Sequence, residues 1–259
     1  MENLQSDHLD TQNLYRDMQK RTGGEIYIGV VGPVRTGKST FIKRFMDVAV
    51  LPYMEDAAQK TRAQDELPQS AGGRTITTTE PKFIPQEAVE LKLAGEVTIR
   101  VRLVDCVGFM VEGAAGHLED GAERLVKTPW YDHEIPFTQA AELGTRKVIT
   151  DHSTIGVVVT TDGSFSDLPQ ETYLDAENQA ISELKKLHKP FLVLVNSSHP
   201  SSRTAREAAE RIEKQHSVAA MPVNCAQLSE EDIRQIMEQI LYEFPVSRIT
   251  LNLAPAGTK

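Results

Sequence analysis

The chain has 259 residues, 40% of them hydrophobic and 25% charged, enough apolar material for one packed α/β domain and too much for wholesale disorder. A formal net charge of -9 argues against the basic face that a dedicated nucleic-acid binder needs, so no nucleic acid is expected among its partners. No run approaches the ~18 apolar residues of a membrane span, Met1 to Lys20 is polar rather than signal-like, and the two cysteines, Cys106 and Cys225, lie far apart; a cytoplasmic protein with reduced core thiols is expected.

In chain order, residues 1–22 are a polar lead-in with helical character from Asp10 to Lys20, stopped by Thr22-Gly23-Gly24. Ile26 to Val31 is a β-branched run bounded by glycines and reads as a buried strand. Gly32-Pro33-Val34-Arg35-Thr36-Gly37-Lys38-Ser39-Thr40 follows, and then Phe41, Ile42, Phe45, Met46 and Val48 to Val50 recur at helical spacing, with Pro52 closing the segment. A strand, the spacing Gly-x4-Gly-Lys-Ser and a helix make a P-loop. Its backbone N–H groups would form an anion nest, and Gly37 would let the backbone approach the phosphates. Lys38 would place its charge on the β/γ oxygens, and Ser39 would offer a hydroxyl to Mg²⁺.

Leu51 to Glu80 has weak periodicity and holds Thr75-Ile76-Thr77-Thr78-Thr79. In guanine-nucleotide-binding P-loop proteins a threonine at this place senses Mg²⁺ and the γ-phosphate, which makes Thr78 and Thr79 candidates, Thr79 as a metal ligand; ordinary strand or cap residues are the alternative. Val97 to Val104 is a second buried strand, ending in Asp105-Cys106-Val107-Gly108. An aspartate at the end of a buried strand is costly unless it meets a cation, so Asp105 is the candidate that holds Mg²⁺ and Gly108 the candidate whose N–H meets the γ-phosphate. Phe109 stands where many signalling GTPases carry a water-orienting glutamine. Arg35 is then either the guanidinium that reaches the β/γ bridge or a solvated loop residue.

Phe109 to Pro136 is again weakly periodic. Strands are expected at Ile155 to Thr160, Phe191 to Val195 and Ala219 to Val223, with helices at Glu171 to Leu187 and Arg203 to Gln215. The alternation predicts a doubly wound, mainly parallel sheet with helices on both faces, an α/β P-loop NTPase of GTPase-like (TRAFAC-type) fold over residues 23–246, with 247–259 as a tail or the start of a following domain. Asp162 fits turn chemistry, and the histidines lack metal spacing. After Phe191 to Val195 the chain reads Asn196-Ser197-Ser198-His199 in place of Asn-Lys-x-Asp. Asn196 stays a candidate nucleotide contact, but the carboxylate that would accept guanine's paired donors is missing, so adenine can be tolerated or preferred.

Arg21-Thr22-Gly23-Gly24, the loop through Lys38-Ser39-Thr40, Arg62-Ala63-Gln64-Asp65-Glu66-Leu67-Pro68-Gln69-Ser70 and Thr79-Glu80-Pro81-Lys82-Phe83 together resemble the stage IV sporulation protein A family. So do Leu103 to Gly108, Thr128-Pro129-Trp130-Tyr131, Gly144-Thr145-Arg146-Lys147-Val148-Ile149 and Leu241-Tyr242-Glu243-Phe244-Pro245-Val246. The resemblance implies an ATPase that self-associates into a basement layer for the spore coat, at the forespore outer surface in the mother-cell cytoplasm. It implies ATP and Mg²⁺ as cofactors, Lys38 as the phosphate lysine, Asp105 as the magnesium aspartate, and Thr78 and Thr79 as sensor threonines. It also implies further partners, coat proteins and a small membrane-bound amphipathic peptide, which engage a region that family members carry beyond the nucleotide domain. This chain ends at Lys259, which fits a fragment, a truncated form or a short paralogue. A monomeric GTPase-type switch and a nucleotide-binding scaffold with little turnover are the other expectations.

Overall fold

A computed structural model describes residues 16–68, 80–93, 97–114, 118–119, 122–165 and 168–244. Residues 16–22 are helical (α1), after which the glycine pair admits β1, Glu25–Val31. The P-loop leads into α2, Lys38–Phe45, which continues as a π-helical turn at Met46–Val50 and a 3₁₀ turn at Leu51–Tyr53. The helix expected through Val50 thus loosens before its end. Pro52 lacks the N–H that would extend the ladder, and the β-branched Val48 and Val50 tolerate the change.

The weakly periodic stretch that follows contains α3, Ala57–Asp65, whose N-cap Asp56 accepts from the N–H groups of Ala58 and Gln59. Thr75 to Thr79, with the candidates Thr78 and Thr79, lie outside the described residues. β2, Lys82–Leu93, was not evident in the sequence, because Pro85 interrupts its run; it pairs antiparallel with β3, Val97–Asp105, across a register shift between Ile84 and Val89. Beyond β3 come the short pair β4, Leu118–Glu119, and β5, Ala122–Glu123, then a hairpin of β6, Leu125–Thr128, and β7, Tyr131–Pro136.

α4, Phe137–Asp151, was likewise not evident, since Gly144 and three threonines dilute its apolar stripe. β8, Ile155–Thr161, is buried throughout. The helix expected from Glu171 begins instead as a 3₁₀ turn, Gln170–Tyr173, set by Pro169, and α5 proper is Leu174–Lys186. β9, Phe191–Asn196, α6, Arg203–His216, β10, Ala220–Val223, and α7, Glu230–Tyr242, complete the described elements.

The main sheet runs β10-β9-β8-β1-β3-β2, parallel except for β2. Strand alternation sorts its apolar side chains into two cores. Ile26, Ile28 and Val30 of β1 pack with α2 and α7 on one face, while Val31, Val158 and Val193 pack with α4, α5 and α6 on the other. This is the doubly wound arrangement expected from the sequence. The chain leaves β1 toward β3 on one side and β8 on the other, so the crevice for a ligand opens at the carboxyl end of β1. The P-loop occupies that point.

Under α5 and α6, Glu177 is 1% exposed; Thr160 Oγ1 donates to it at 2.7 Å, and it meets the guanidinium of Arg211 at 2.8 Å. Replacing Arg211 with leucine leaves that carboxylate buried beside a single hydroxyl. Because the Arg211 side chain is 30% exposed, the expected loss is about 2 kcal/mol, below that for a fully buried pair. Urea unfolding checks it, and an unchanged midpoint would show that water already solvates Glu177.

Candidate active site

The loop between β1 and α2 is shaped by backbone conformation before any side chain matters. Arg35 and Gly37 have φ of 62° and 96°, left-handed values that turn successive N–H groups toward one concave side. Gly32 has φ of 128°, and a Cβ there would strike the carbonyl of Val159; a Cβ on Gly37 would strike the amide of Asn196. Thr36 is fully buried, its hydroxyl 2.6 Å from Val159 O and 3.0 Å from Pro33 O, which fastens the loop to β8. Pro33 and Val34 are buried, Arg35 is half-buried, and Thr40 sits partly exposed in the first turn of α2.

Lys38 is 5% exposed and donates to Pro33 O at 2.5 Å. Burial pushes its pKa down, while the neighbouring Cys106 and Asp105 pull it up. A desolvated ammonium at a helix N-terminus gains from an anion more than an exposed one would. Ser39 Oγ donates to Asp105 Oδ2 at 2.7 Å, joining the start of α2 to the end of β3. Burial raises the Asp105 pKa, opposed by the Ser39 hydroxyl and the Lys38 charge.

Those two oxygens fit magnesium. Mg²⁺ takes oxygen ligands, one or two from protein and the remainder from water and phosphate. A carboxylate held under desolvation strain beside a hydroxyl is that partial set. The described residues contain no group of three His, Cys, Asp or Glu that could hold a metal ion, so a site built wholly by such side chains is not found among them. Thr79, the third expected ligand, belongs to the undescribed stretch.

The segment after β3 is sewn to the P-loop. Phe109 N–H donates to Gly32 O at 3.0 Å and Val34 N–H to Phe109 O at 2.9 Å, so Pro33 and Phe109 form a parallel bridge. Gly108 has φ of 101°, and a Cβ there would meet both Gly32 O and Lys38 Nζ. Its N–H, expected to face a γ-phosphate, donates to Thr145 Oγ1 at 3.1 Å. Cys106 is buried with its thiol toward Val30 O, and burial pushes its pKa up to about 11; Cys225 is buried as well, and both are free, as the sequence suggested.

Asn196 joins the site as a strut. Its Nδ2 donates to Thr36 O at 3.0 Å and its Oδ1 accepts from Cys225 N–H at 3.0 Å, so β9, the P-loop and the end of β10 are tied through one amide. Beyond it, Ser164 Oγ lies 3.4 Å from Ser197 Oγ and accepts from Ser198 N–H at 2.8 Å, which lines the carboxyl ends of β8 and β9 with hydroxyls. Asp162 closes a turn onto Ser164 N–H, as turn chemistry predicted. Thr145 and the serine group escaped sequence reasoning. Thr145 lies 37 residues from its partner, and isolated serines carry no spacing signal.

Residues 9–245 match the family described as stage IV sporulation protein A, ATPase domain. The chain is 50% identical to stage IV sporulation protein A of Clostridioides difficile (strain 630) over 241 residues, covering 93% of this chain and 49% of that protein. It is 45% identical to the protein of the same name from Bacillus subtilis (strain 168), covering 95% and 50%, with the same values for Bacillus anthracis. The chain spans about half the length of the curated relatives it matches. Among solved structures, SsGBP in complex with GDP aligns with a TM-score of 0.45 and 13% identity over 84% of this chain and 49% of its own, a likeness too slight to bear on the site. With the loop, the aspartate and the sheet in place, the chain belongs to the stage IV sporulation protein A family, matching it over the ATPase domain.

Proposed function

We propose that the chain hydrolyses ATP with Mg²⁺ in the cradle around Lys38, and that the triphosphate state promotes its self-association into a basement layer for the spore coat. The observation that carries the hydrolase reading is a desolvated Lys38 set against the Ser39–Asp105 pair, at the mouth of a backbone nest on the switch point of the sheet. In this reading the nest N–H groups and Lys38 hold the β- and γ-phosphates, and Gly108 lies beside the γ-phosphate. Ser39 and Asp105 would hold Mg²⁺, with Thr79 as a further candidate ligand and Thr78 as the other candidate sensor threonine. The ion would supply charge neutralisation across the β/γ oxygens. Phe109 is 1% exposed within an apolar core and offers no hydrogen bond to a water, so slow hydrolysis is expected, and Arg35 inside the loop is the guanidinium proposed to reach the β/γ bridge.

Adenine is favoured because β9 runs into Asn196-Ser197-Ser198-His199 with no carboxylate to accept guanine's two donors, and the Asn196 amide is committed to the loop. Coat proteins and a small membrane-bound amphipathic peptide are proposed as further partners of family members, through the region they carry beyond the nucleotide domain, at the forespore outer surface in the mother-cell cytoplasm. Among the described residues, no helix is long and apolar enough to cross a membrane.

Phosphate release, with size-exclusion runs with and without ATP and Mg²⁺, tests the reading. Slow release with earlier elution in ATP is expected; no release and unchanged elution would leave a scaffold. Nucleotide competition should favour ATP, and a strong preference for GTP would favour a GTPase-type switch instead.

A further inference from the structure

We propose that Thr145 is a positioning residue that holds the Gly108 N–H in the nucleotide-free and diphosphate states and yields it to the γ-phosphate of a bound triphosphate. The inference rests on the ATPase reading above. Thr145 lies in the interior of α4, wholly buried on the face turned to the end of β3. Its hydroxyl donates to Ala141 O at 2.8 Å, so its one proton is spent within the helix and its lone pairs point outward as acceptors. Gly108 N–H donates into them at 3.1 Å. A buried N–H needs an acceptor; the Thr145 hydroxyl supplies it where a phosphate oxygen does not, with the Cys106 sulfur, a weaker acceptor, also facing this N–H.

Position makes the exchange possible. Gly108 packs so closely on Lys38 Nζ and Gly32 O that no Cβ fits, so its peptide lies beside the group that grips the terminal phosphate. The glycine has no side chain to obstruct rotation of that peptide, and its φ of 101° is unstrained. The neighbouring Phe109 N–H and C=O are fixed to Gly32 and Val34, so movement concentrates at Gly108. An N–H bound to a charged phosphate oxygen is about twice as strong as one bound to a neutral hydroxyl, so a γ-phosphate wins the donor and a diphosphate, lacking that oxygen, leaves it with Thr145. Thr145 therefore sets how sharply the site tells ATP from ADP, and the cost of release is borne by α4.

Thr145→Val keeps the buried volume and removes the acceptor, while the helix ladder still serves Ala141 O. Affinities for ADP and for a non-hydrolysable ATP analogue, both with Mg²⁺, should then show the analogue-to-ADP preference rising about tenfold, because only the states that relied on Thr145 lose their acceptor. Thr145→Ser, which keeps the hydroxyl, should restore the ratio of the unchanged chain. An unchanged ratio in folded Thr145→Val, or an equal loss for both nucleotides, overturns the inference. If that variant does not fold, the Gly108 amide resonance of the unchanged chain decides. A shift with the triphosphate analogue and none with ADP supports the exchange, and the same shift with both overturns it. Failure of the unchanged chain to bind either nucleotide overturns this inference together with the reading it rests on.

Discussion

Lys38→Met should reduce phosphate release from ATP by at least about a hundredfold and leave the ligand-free domain as stable as before, or more stable. The activity loss follows from removing the cation proposed to hold the β/γ oxygens; one such donor in a desolvated site carries a factor of 10²–10³, roughly. The stability forecast follows from the same burial. Lys38 is 5% exposed, its pKa is pushed down by desolvation, and it donates to Pro33 O. An ammonium held that way costs the fold solvation energy that methionine does not. Thermal unfolding without nucleotide, alongside single-turnover phosphate release, checks both halves. A large drop in the midpoint would mean that Lys38 holds the loop together, and its loss of activity would say nothing about catalysis.

Gly108→Ala should have the next largest effect, and on both properties. Alanine at φ of 101° is strained by about 1–3 kcal/mol. Its Cβ would also land on Gly32 O and Lys38 Nζ, one of them backbone, so the segment must withdraw from the P-loop. Withdrawal breaks the Phe109 N–H to Gly32 O and Val34 N–H to Phe109 O bonds that hold the two strand ends together. Phosphate release is expected to fall about a hundredfold, the scale of one lost transition-state donor. Denaturant unfolding should show the stability loss, and near-normal turnover would place Gly108 away from the reacting phosphate.

What the sequence disclosed and what it hid divide along physical lines. The cradle was readable because every residue it needs is local: nine consecutive positions carry the nest, the lysine and the hydroxyl. Asp105 was readable because a carboxylate ending an apolar strand is conspicuous. The parallel strands β1, β8 and β9 announced themselves as continuous apolar runs, as strands buried on both faces do. β2 did not, since an edge strand can carry Pro85 and charged residues on its open side. α4 and α7 were not marked as helices, although Ser229 and Asp232 form a capping box at the start of α7 that the sequence Ser229-Glu230-Glu231-Asp232 spells out. Asn196 was picked out as a candidate nucleotide contact, and in the structure its side chain lies against the P-loop. Periodicity and motif order bring it to the site, but only coordinates show its amide bridging Thr36 and Cys225. Thr145 could not be found by spacing, because the contact depends on how a helix 37 residues away docks on the sheet.

Phe109 shows what such docking costs a lineage. Its ring lies in the core with Val34, Val104 and Val111, and its backbone is stitched to the P-loop. A glutamine there would bury an amide among apolar neighbours and give up the ring's packing, a loss of several kcal/mol, roughly half the stability of a marginal domain. Fast turnover is therefore not one substitution away. Many positions would have to change together before a water-orienting side chain could settle at 109, so under the proposed ATPase reading slow turnover is a state that point mutation does not easily leave.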